Sequence, residues 1–197
     1  MQSRDFKYNG HRNSYTELNE VYFWTITINN WYHLLKTDTN KILVINSLQW
    51  LVQNKLVEIY GYVIMPNHTH LMWQQLKMNG KEFPKNSFEK FTAKTLVNQM
   101  KGQQDNELKN YAVNASDRKH NIWLRDPLAI WVFDREMAAQ KLDYMPARQC
   151  HSGGHLNPLQ PHWALCSSPE DYMFSSAAFY EKGKDEFNLV THFMNVF

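Results

Sequence analysis

The chain has 197 residues, of which 43% are hydrophobic, and its net charge is +2 at pH 7. This length suits one domain of ordinary size, with enough apolar side chains for a core. No stretch approaches the roughly 18–20 apolar residues of a membrane span, and the N-terminus lacks an apolar signal core, so we expect a cytoplasmic protein with no membrane partner.

The charge neither indicates nor excludes nucleic-acid binding, because local patches matter more than the sum. The aromatic content is more suggestive, with seven Trp, ten Tyr and eleven Phe. Aromatic rings stack on unpaired bases, although most aromatic residues of a globular domain belong to its core.

The first half of the chain predicts a strand, a helix and a hairpin. Residues 1–17 are polar and are expected to be a flexible N-terminal segment. A strand is predicted at 21–28 and an amphipathic helix at 41–54. The apolar strand 57–65 is joined by a short turn to a strand at 69–75, which predicts an antiparallel hairpin.

The second half predicts further helices and one more strand region. The apolar spacing indicates a helix from residue 86 or 87 to residue 100, followed by a polar segment at 102–120. Two strand-like pieces lie around Asp126-Pro127, and Asp134 is expected to cap a helix that ends at Met145. Pro146 is a poor residue for continuing that helix.

The order of elements is β, α, β-hairpin, α, β, α, with further helical residues near 168–180. This order predicts an α+β fold, most simply a ferredoxin-like antiparallel sheet with helices packed on one face. We expect residues 18–197 to form a single domain with a C-terminal helical extension.

His68 and His70 are the most informative pair in the sequence. Two residues apart on a strand, they project from the same face of the sheet, where they can hold one divalent ion. The alternative is two ordinary strand histidines. The chain contains no His-Glu-x-x-His motif, and position 72 is Met72 rather than a third alternating histidine.

Tyr144 is the candidate nucleophile. A tyrosine near the end of an amphipathic helix is most often half-buried packing, yet its oxygen can attack phosphorus and hold it as phosphotyrosine. A metal ion would polarise the scissile phosphate. Mixed imidazole and oxygen sites accept Mg²⁺ or Mn²⁺, and Mn²⁺ is the better match to imidazole.

The segment Val63-Ile-Met-Pro-Asn-His-Thr-His-Leu71 resembles the signature of the single-tyrosine HUH transposases, and more narrowly of the REP-associated tyrosine transposases. The family name refers to two histidines that flank a usually hydrophobic residue, which is Thr69 here. Three further segments are similar to family motifs: Ile122-Trp-Leu-Arg-Asp-Pro-Leu-Ala-Ile130, Gln140-Lys-Leu-Asp-Tyr-Met145 and Pro169-Glu-Asp-Tyr-Met-Phe-Ser-Ser176.

The resemblance implies an HUH nuclease domain that cleaves and rejoins single-stranded DNA, often next to a hairpin, with a divalent metal. It assigns His68 and His70 as metal ligands and Tyr144 as the nucleophile that forms a 5′-phosphotyrosine. Relatives act as monomers or as homodimers that exchange the tyrosine helix, and the sequence does not choose between them.

The chain departs from the family directly after Tyr144. The family continues with His-x-Asn-Pro, whereas here residues 146–154 intervene, an insertion of nine residues. Arg148 occupies the position one turn after the tyrosine, and an arginine cannot be a metal ligand because it stays protonated. Asn157 is the expected third ligand, with three alternatives: Gln149, His151 and His155.

For DNA contact we expect Arg125 and three lysines of one helix, Lys90, Lys94 and Lys101, whose spacing puts them on one helix face. The alternative for the lysines is a solvated surface. Three functions follow in order of support: an active single-strand DNA transposase, a former transposase that binds structured DNA without cutting it, and, much weaker, a small-molecule phosphohydrolase.

Overall fold

The fold is taken from a computed structural model, which describes residues 14–150 and 165–197, with side chains described up to residue 145 and again from residue 165. The helices and strands are β1 Val21–Thr27, α1 Asp38–Gln53, β2 Val57–Ile64, β3 His68–Gln75, α2 Pro84–Gly102, β4 Leu128–Trp131, α3 Arg135–Cys150 and α4 Ala177–Lys182. Five short 3-10 segments complete the description: Asn29–Trp31, Leu34–Lys36, Asn106–Tyr111, Pro169–Asp171 and Phe193–Asn195.

The four strands form one sheet in the order β2-β3-β1-β4. Every neighbouring pair is antiparallel. This is the strand order of a ferredoxin-like sheet, and the predicted α+β class with an antiparallel ferredoxin-like sheet is confirmed.

Helices cover both faces of this sheet, so the expectation that they share one face is wrong. Side chains alternate along β1. Trp24 points to α2, where its ring meets Phe88 at 5.9 Å, while the neighbouring Phe23 points to α3 and meets Tyr144 at 6.0 Å. Helices α1 and α2 therefore pack on one face, and α3 crosses the other.

The α1–α2 face carries the densest aromatic packing. The rings of Trp24 and Trp73 stack at 5.0 Å, and both side chains are almost completely buried. Trp123 adds an indole N–H that donates to Thr92 Oγ1 at 2.9 Å. Such aromatic pairs add about 0.5–1.5 kcal/mol beyond the apolar area that they bury, so this face anchors the sheet.

The ends of the helices follow from their capping residues. The Thr37 hydroxyl accepts a hydrogen bond from the Asn40 amide at the start of α1, so this helix begins earlier than predicted. Asp134 caps α3 as predicted, since its carboxylate accepts from the Met137 amide at 2.7 Å.

Helix α3 continues to Cys150 and does not end at Met145, so the prediction that Pro146 ends it is wrong. An internal proline loses its own N–H and crowds the carbonyl four residues earlier, here that of Leu142, but its fixed φ of about −65° is helical. The strand-like piece 122–126 is likewise not a strand: Trp123 makes only an isolated bridge with Ile28.

The C-terminal part of the chain closes the free edge of β2. The Ile64 amide donates to the Phe174 carbonyl, and the Ser176 amide donates to the Tyr62 carbonyl, both at 2.9 Å. The Tyr172 hydroxyl donates to the Ile64 carbonyl at 2.7 Å. Ser175 forms an isolated bridge with Val63. Residues 172–176 therefore cover this part of the β2 edge and satisfy groups that would otherwise face solvent.

No helix in residues 14–150 or 165–197 is long and apolar enough to cross a membrane. The predicted boundary between a flexible segment 1–17 and the domain 18–197 stays a prediction.

Candidate active site

His68 and His70 lie at the start of β3, directly after the turn that joins it to β2. Because side chains alternate along a strand, both imidazoles point to the α3 face. Their ring centroids are 4.7 Å apart with an interplanar angle of 76°, and each residue is only 5% exposed. The predicted geometry of the pair is therefore present: two buried imidazoles side by side on rigid structure.

The Nδ1 atom of each imidazole is held by a neighbouring polar side chain. The His68 Nδ1 lies 2.6 Å from Asn67 Oδ1, and the His70 Nδ1 lies 2.8 Å from Thr25 Oγ1. Thr25 is the direct cross-strand partner of His70. Such bonds fix the orientation of each ring, and in known metal sites they orient the ligating imidazole in the same way.

The bond from Asn67 also sets the tautomer of His68. The Asn67 amide nitrogen donates to the Trp31 carbonyl at 3.5 Å, which turns its oxygen towards His68. An amide oxygen can only accept a hydrogen bond, so Nδ1 of His68 carries the hydrogen. In the neutral imidazole the lone pair is then on Nε2, the atom that would bind a metal.

Tyr144 of α3 lies against the histidine pair of its own chain. The Tyr144 ring is 5.9 Å from the His70 ring, edge to face, and the residue is half-buried. The structure thus brings together the three residues that the sequence singled out for chemistry. No exchange of helices between two chains is required for this contact.

Two neighbours of Tyr144 were not predicted from the sequence. Phe23 stacks on His70 at 5.2 Å, and the Lys141 ammonium lies over the Phe23 ring at 5.5 Å from its centroid. Lys141 precedes Tyr144 by one helical turn, so the two share a face of α3. This helical spacing is visible in the sequence, but only the contact with Phe23 shows that Lys141 lies near the histidine pair.

Gly61 allows α3 to approach the sheet closely. It lies opposite Met72 in the β2–β3 register, and hence on the same face as the histidines. A Cβ atom on Gly61 would lie 2.5 Å from Leu142 Cδ2 and 2.6 Å from Met145 Cε. The missing side chain therefore makes room for the residues that flank Tyr144.

The described residues provide two of the ligands that a metal site needs. The two imidazoles are suitable ligands, with ring nitrogens oriented by their hydrogen bonds. Among the residues whose side chains are described, no group of three His, Cys, Asp or Glu lies close enough to hold an ion. Asn157, His151 and His155 lie outside the described residues, as does the side chain of Gln149, so the third ligand stays a prediction.

The predicted DNA-contacting residues are all exposed, at different distances from this site. Arg125 follows Leu124, whose amide donates to the Thr27 carbonyl at 2.7 Å, and Thr27 pairs with His68 across the sheet. Arg125 therefore lies at the same end of the sheet as the histidines.

The three lysines belong to α2, which packs on the opposite face of the sheet. Lys90 makes an ion pair with Glu82. Lys101 lies near His120, and burial together with the charges of Lys101 and Lys119 lowers the pKa of His120. Lys101 and Lys119 therefore both lie close to His120, while the DNA-contacting role of all three lysines of α2 stays a prediction.

The chain matches no protein-family model and no curated protein. Among solved structures it is similar to one described as a REP-associated tyrosine transposase bound to a REP hairpin. The two share 17% sequence identity with a TM-score of 0.53, and the match covers 90% of this chain and 88% of that one. At this identity the similarity establishes the shared fold, over nearly the whole of both chains.

Proposed function

We propose that this chain is a single-strand DNA transposase or endonuclease that cuts and rejoins DNA beside a hairpin through a covalent tyrosine intermediate. The observation that carries the proposal is the contact between Tyr144 and His70 within one chain, at 5.9 Å between ring centroids. The fold shared with a transposase whose structure holds a REP hairpin supports DNA of that form as the partner.

In the proposed reaction the Tyr144 hydroxyl loses its proton, and its oxygen forms a bond to the phosphorus of the scissile phosphodiester. The bond from phosphorus to the 3′ oxygen breaks, and that oxygen takes up a proton. The products are a 5′-phosphotyrosine and a free 3′-hydroxyl. Attack of a 3′-hydroxyl on the phosphotyrosine rejoins the DNA, and one phosphodiester is exchanged for another at each step.

His68 and His70 would hold Mg²⁺ or Mn²⁺, which when bound polarises the phosphate and stabilises charge on its oxygens. Asn67 and Thr25 keep the two rings in position for this role through their hydrogen bonds to Nδ1. Asn157 is the proposed third ligand, and replacing it with alanine should weaken Mn²⁺ binding.

Lys141 is proposed to supply positive charge beside the nucleophile. Its ammonium lies over Phe23, whose ring contacts both His70 and Tyr144. A cation there attracts the DNA phosphate and stabilises negative charge that develops during the attack. Arg125, at the same end of the sheet, is proposed to hold the DNA backbone, with Lys90, Lys94 and Lys101 as more distant phosphate contacts.

A second function, DNA binding without cleavage, is favoured by one observation. Helix α3 continues to Cys150, so Arg148 lies one turn after Tyr144 on the same helix. An arginine at that position cannot complete the coordination of a metal ion. A chain that lacks a replacement ligand would bind hairpin DNA in a salt-dependent manner and leave it intact.

The deciding experiment uses purified protein and a pool of hairpin oligonucleotides with randomised single-stranded flanks, labelled at the 3′ end. Incubation with Mn²⁺ or Mg²⁺ should give a labelled protein band that survives denaturing electrophoresis, and a chelator present from the start should prevent its formation. Tyr144→Phe should abolish the band while DNA binding is kept. Tyr15→Phe, at an exposed tyrosine before β1, is the matched control and should behave as wild type.

The outcomes separate the two functions. An adduct that persists in Tyr144→Phe contradicts the assigned nucleophile. Hairpin binding without any adduct, in either metal, favours the binding protein. Absence of both binding and adduct contradicts both functions.

A further inference from the structure

A second feature lies at the same end of the sheet as the histidine pair: a cavity of about 710 Å³ between the connection that follows β1 and the C-terminal end of α2. Its volume falls in the range of ligand sites in proteins. Its lining includes two aromatic residues, Trp31 and Tyr32, and amide side chains of α1 and α2, among them Asn40, Gln99 and Gln103. The proposed reaction makes no use of this cavity.

Trp31 is held at the edge of the cavity by a strained turn. Asn30 and Trp31 are consecutive residues with positive φ, 55° and 58°. The left-handed region costs a residue other than glycine about 1–2 kcal/mol, and for a bulky side chain it is a true outlier. Trp31 is nevertheless 41% exposed, whereas Trp24 and Trp73 are buried.

The surrounding chain fixes this turn from both sides. The Trp31 amide donates to the Ile28 carbonyl at 2.9 Å, and the Asn29 amide donates to the Ile122 carbonyl at 2.7 Å. The Trp31 carbonyl accepts from Asn67, the residue that orients His68. Strain that is held in this way is characteristic of functional sites, so the exposed indole calls for a functional explanation.

The two aromatic residues connect the histidines to the cavity. The Trp31 ring lies 6.3 Å from the His68 ring, edge to face. Tyr32 is 38% exposed and rests on the buried Tyr111 at 5.5 Å, so its ring has a firm support. A DNA strand whose phosphate lies at the histidines would therefore pass next to exposed aromatic faces.

The polar lining of the cavity suits a nucleobase better than a phosphate. Asn40 donates to the Leu34 carbonyl at 2.6 Å and accepts from Gln99, so the Gln99 amide is held in a fixed orientation. Two carboxylates, of Asp105 and Glu107, outnumber the single lysine in the lining, Lys36. Carboxylates repel phosphates but accept hydrogen bonds from base amino groups, and amides pair with base edges.

From these observations we infer that Trp31 stacks on an unpaired base next to the scissile phosphate and that the cavity beyond Tyr32 receives the following unpaired base. The inference rests on the proposed function, since it assigns the position of the single strand at that same site. Stacking gives affinity for any base, while the amide and acid groups of the cavity give preference for particular bases.

The test compares two probes by fluorescence anisotropy: a hairpin with a short randomised single-stranded extension and the same hairpin with blunt ends. Trp31→Ala should weaken binding of the extended hairpin about tenfold or more, as expected for one lost base stack, and leave blunt-hairpin binding unchanged. Trp31→Phe should retain most of the affinity. Trp50→Ala is the matched control, since Trp50 is 49% exposed near the end of α1.

A second measurement does not depend on how well the Trp31 variants fold. The extensions bound by wild-type protein are recovered and sequenced, and the selection is repeated with Gln103→Ala, a substitution at an exposed residue of the cavity rim. A changed base preference at one position supports the inference. An unchanged preference, or wild-type affinity of Trp31→Ala for the extended hairpin, overturns it.

These results are distinguishable from failure of the proposed function. If wild-type protein forms the tyrosine adduct while Trp31→Ala binds the extended hairpin normally, only the inference is wrong. If wild-type protein neither binds the extended hairpin nor forms an adduct, both are wrong.

Discussion

The amide oxygen of Asn67 lies 2.6 Å from Nδ1 of His68, its neighbour in the chain, and both side chains are buried. Adjacent residues on a regular strand point to opposite faces. The two side chains can meet because Asn67 belongs to the turn and His68 is the first residue of β3. The turn therefore both joins the hairpin and orients the proposed metal ligand.

We predict that Asn67→Ala weakens Mn²⁺ binding about 10–100-fold, the usual effect of removing a partner that orients a ligand. Asn67→Asp, which keeps an acceptor oxygen next to Nδ1, should retain most of the affinity. Titration followed by electron paramagnetic resonance measures free Mn²⁺ directly. Asn54→Ala, at an exposed residue after α1, should match wild type, and equal affinities of Asn67→Ala and wild type would refute the orienting role.

Gly61→Ala should both destabilise the protein and slow adduct formation. The added methyl would meet Leu142 and Met145 at 2.5 and 2.6 Å. Overpacking of this kind costs about 1–3 kcal/mol, reduced here to the extent that the two flexible side chains yield. Since these residues flank Tyr144, we expect a slower single-turnover rate as well as a lower midpoint of urea unfolding.

Gly102→Ala is the matched control for that variant, because nothing lies within 4 Å of a Cβ atom built on Gly102. Alanine is favoured over glycine in a helix by about 0.5–1 kcal/mol. A small gain in stability with no change in rate is expected. If Gly61→Ala behaved in the same way, the close approach of α3 would not matter for the site.

Lys141→Gln should slow adduct formation about 10-fold or more while hairpin affinity changes little, because one charge beside the nucleophile influences the transition state more than total binding. Lys77→Gln, at an exposed lysine in the loop after β3, controls for the loss of one positive charge. Equal rates of adduct formation for the two variants would contradict a role of Lys141 in the reaction.

Glu89 gives the protein a pH-dependent stability. Burial raises the pKa of its carboxyl to about 7, and the nearby Lys85 offsets this only in part. In the unfolded chain the same group titrates near its ordinary value of 4.5. Between these values the folded state binds more protons than the unfolded state, so stability falls as the pH rises from about 4.5 to about 7.

Glu89→Gln should remove this dependence. At pH 8 we expect the variant to be more stable than wild type by about 1–2 kcal/mol, a value discounted because the side chain is only half-buried. At pH 4.5 the two should have similar stability. Urea unfolding at several pH values measures the difference, and Glu181→Gln, at an exposed residue of α4, is the matched control.

The local features of the site could be predicted from the sequence because they depend on how side chains repeat along a single strand or helix. A period of two places His68 and His70 on one face, and a helical period places Tyr144 on an amphipathic helix. The contact between Tyr144 and His70 could only be expected through the resemblance to HUH transposases. It depends on how α3 crosses the sheet, and Gly61 contributes to that from another strand.

The remaining differences also arise from tertiary packing. A proline disfavours the interior of a helix but does not exclude it, so the presence of Pro146 led to a predicted end of α3 that was too early. Asn67 and Thr25 are ordinary polar residues in the sequence, and their roles follow only from the turn geometry and the strand register. Trp31 was one aromatic residue among many until its backbone conformation and exposure set it apart.

The hydrogen bonds from residues 172–176 to β2 limit how copies of this chain could assemble. With the outer side of β2 occupied, a neighbouring molecule cannot extend the sheet there. Within the described parts of the chain, β4 is the sheet's other border, and it offers four residues, Leu128–Trp131. Two copies could therefore extend the sheet only through the short edge strand β4. Any larger contact between copies would have to be made by helices or loops.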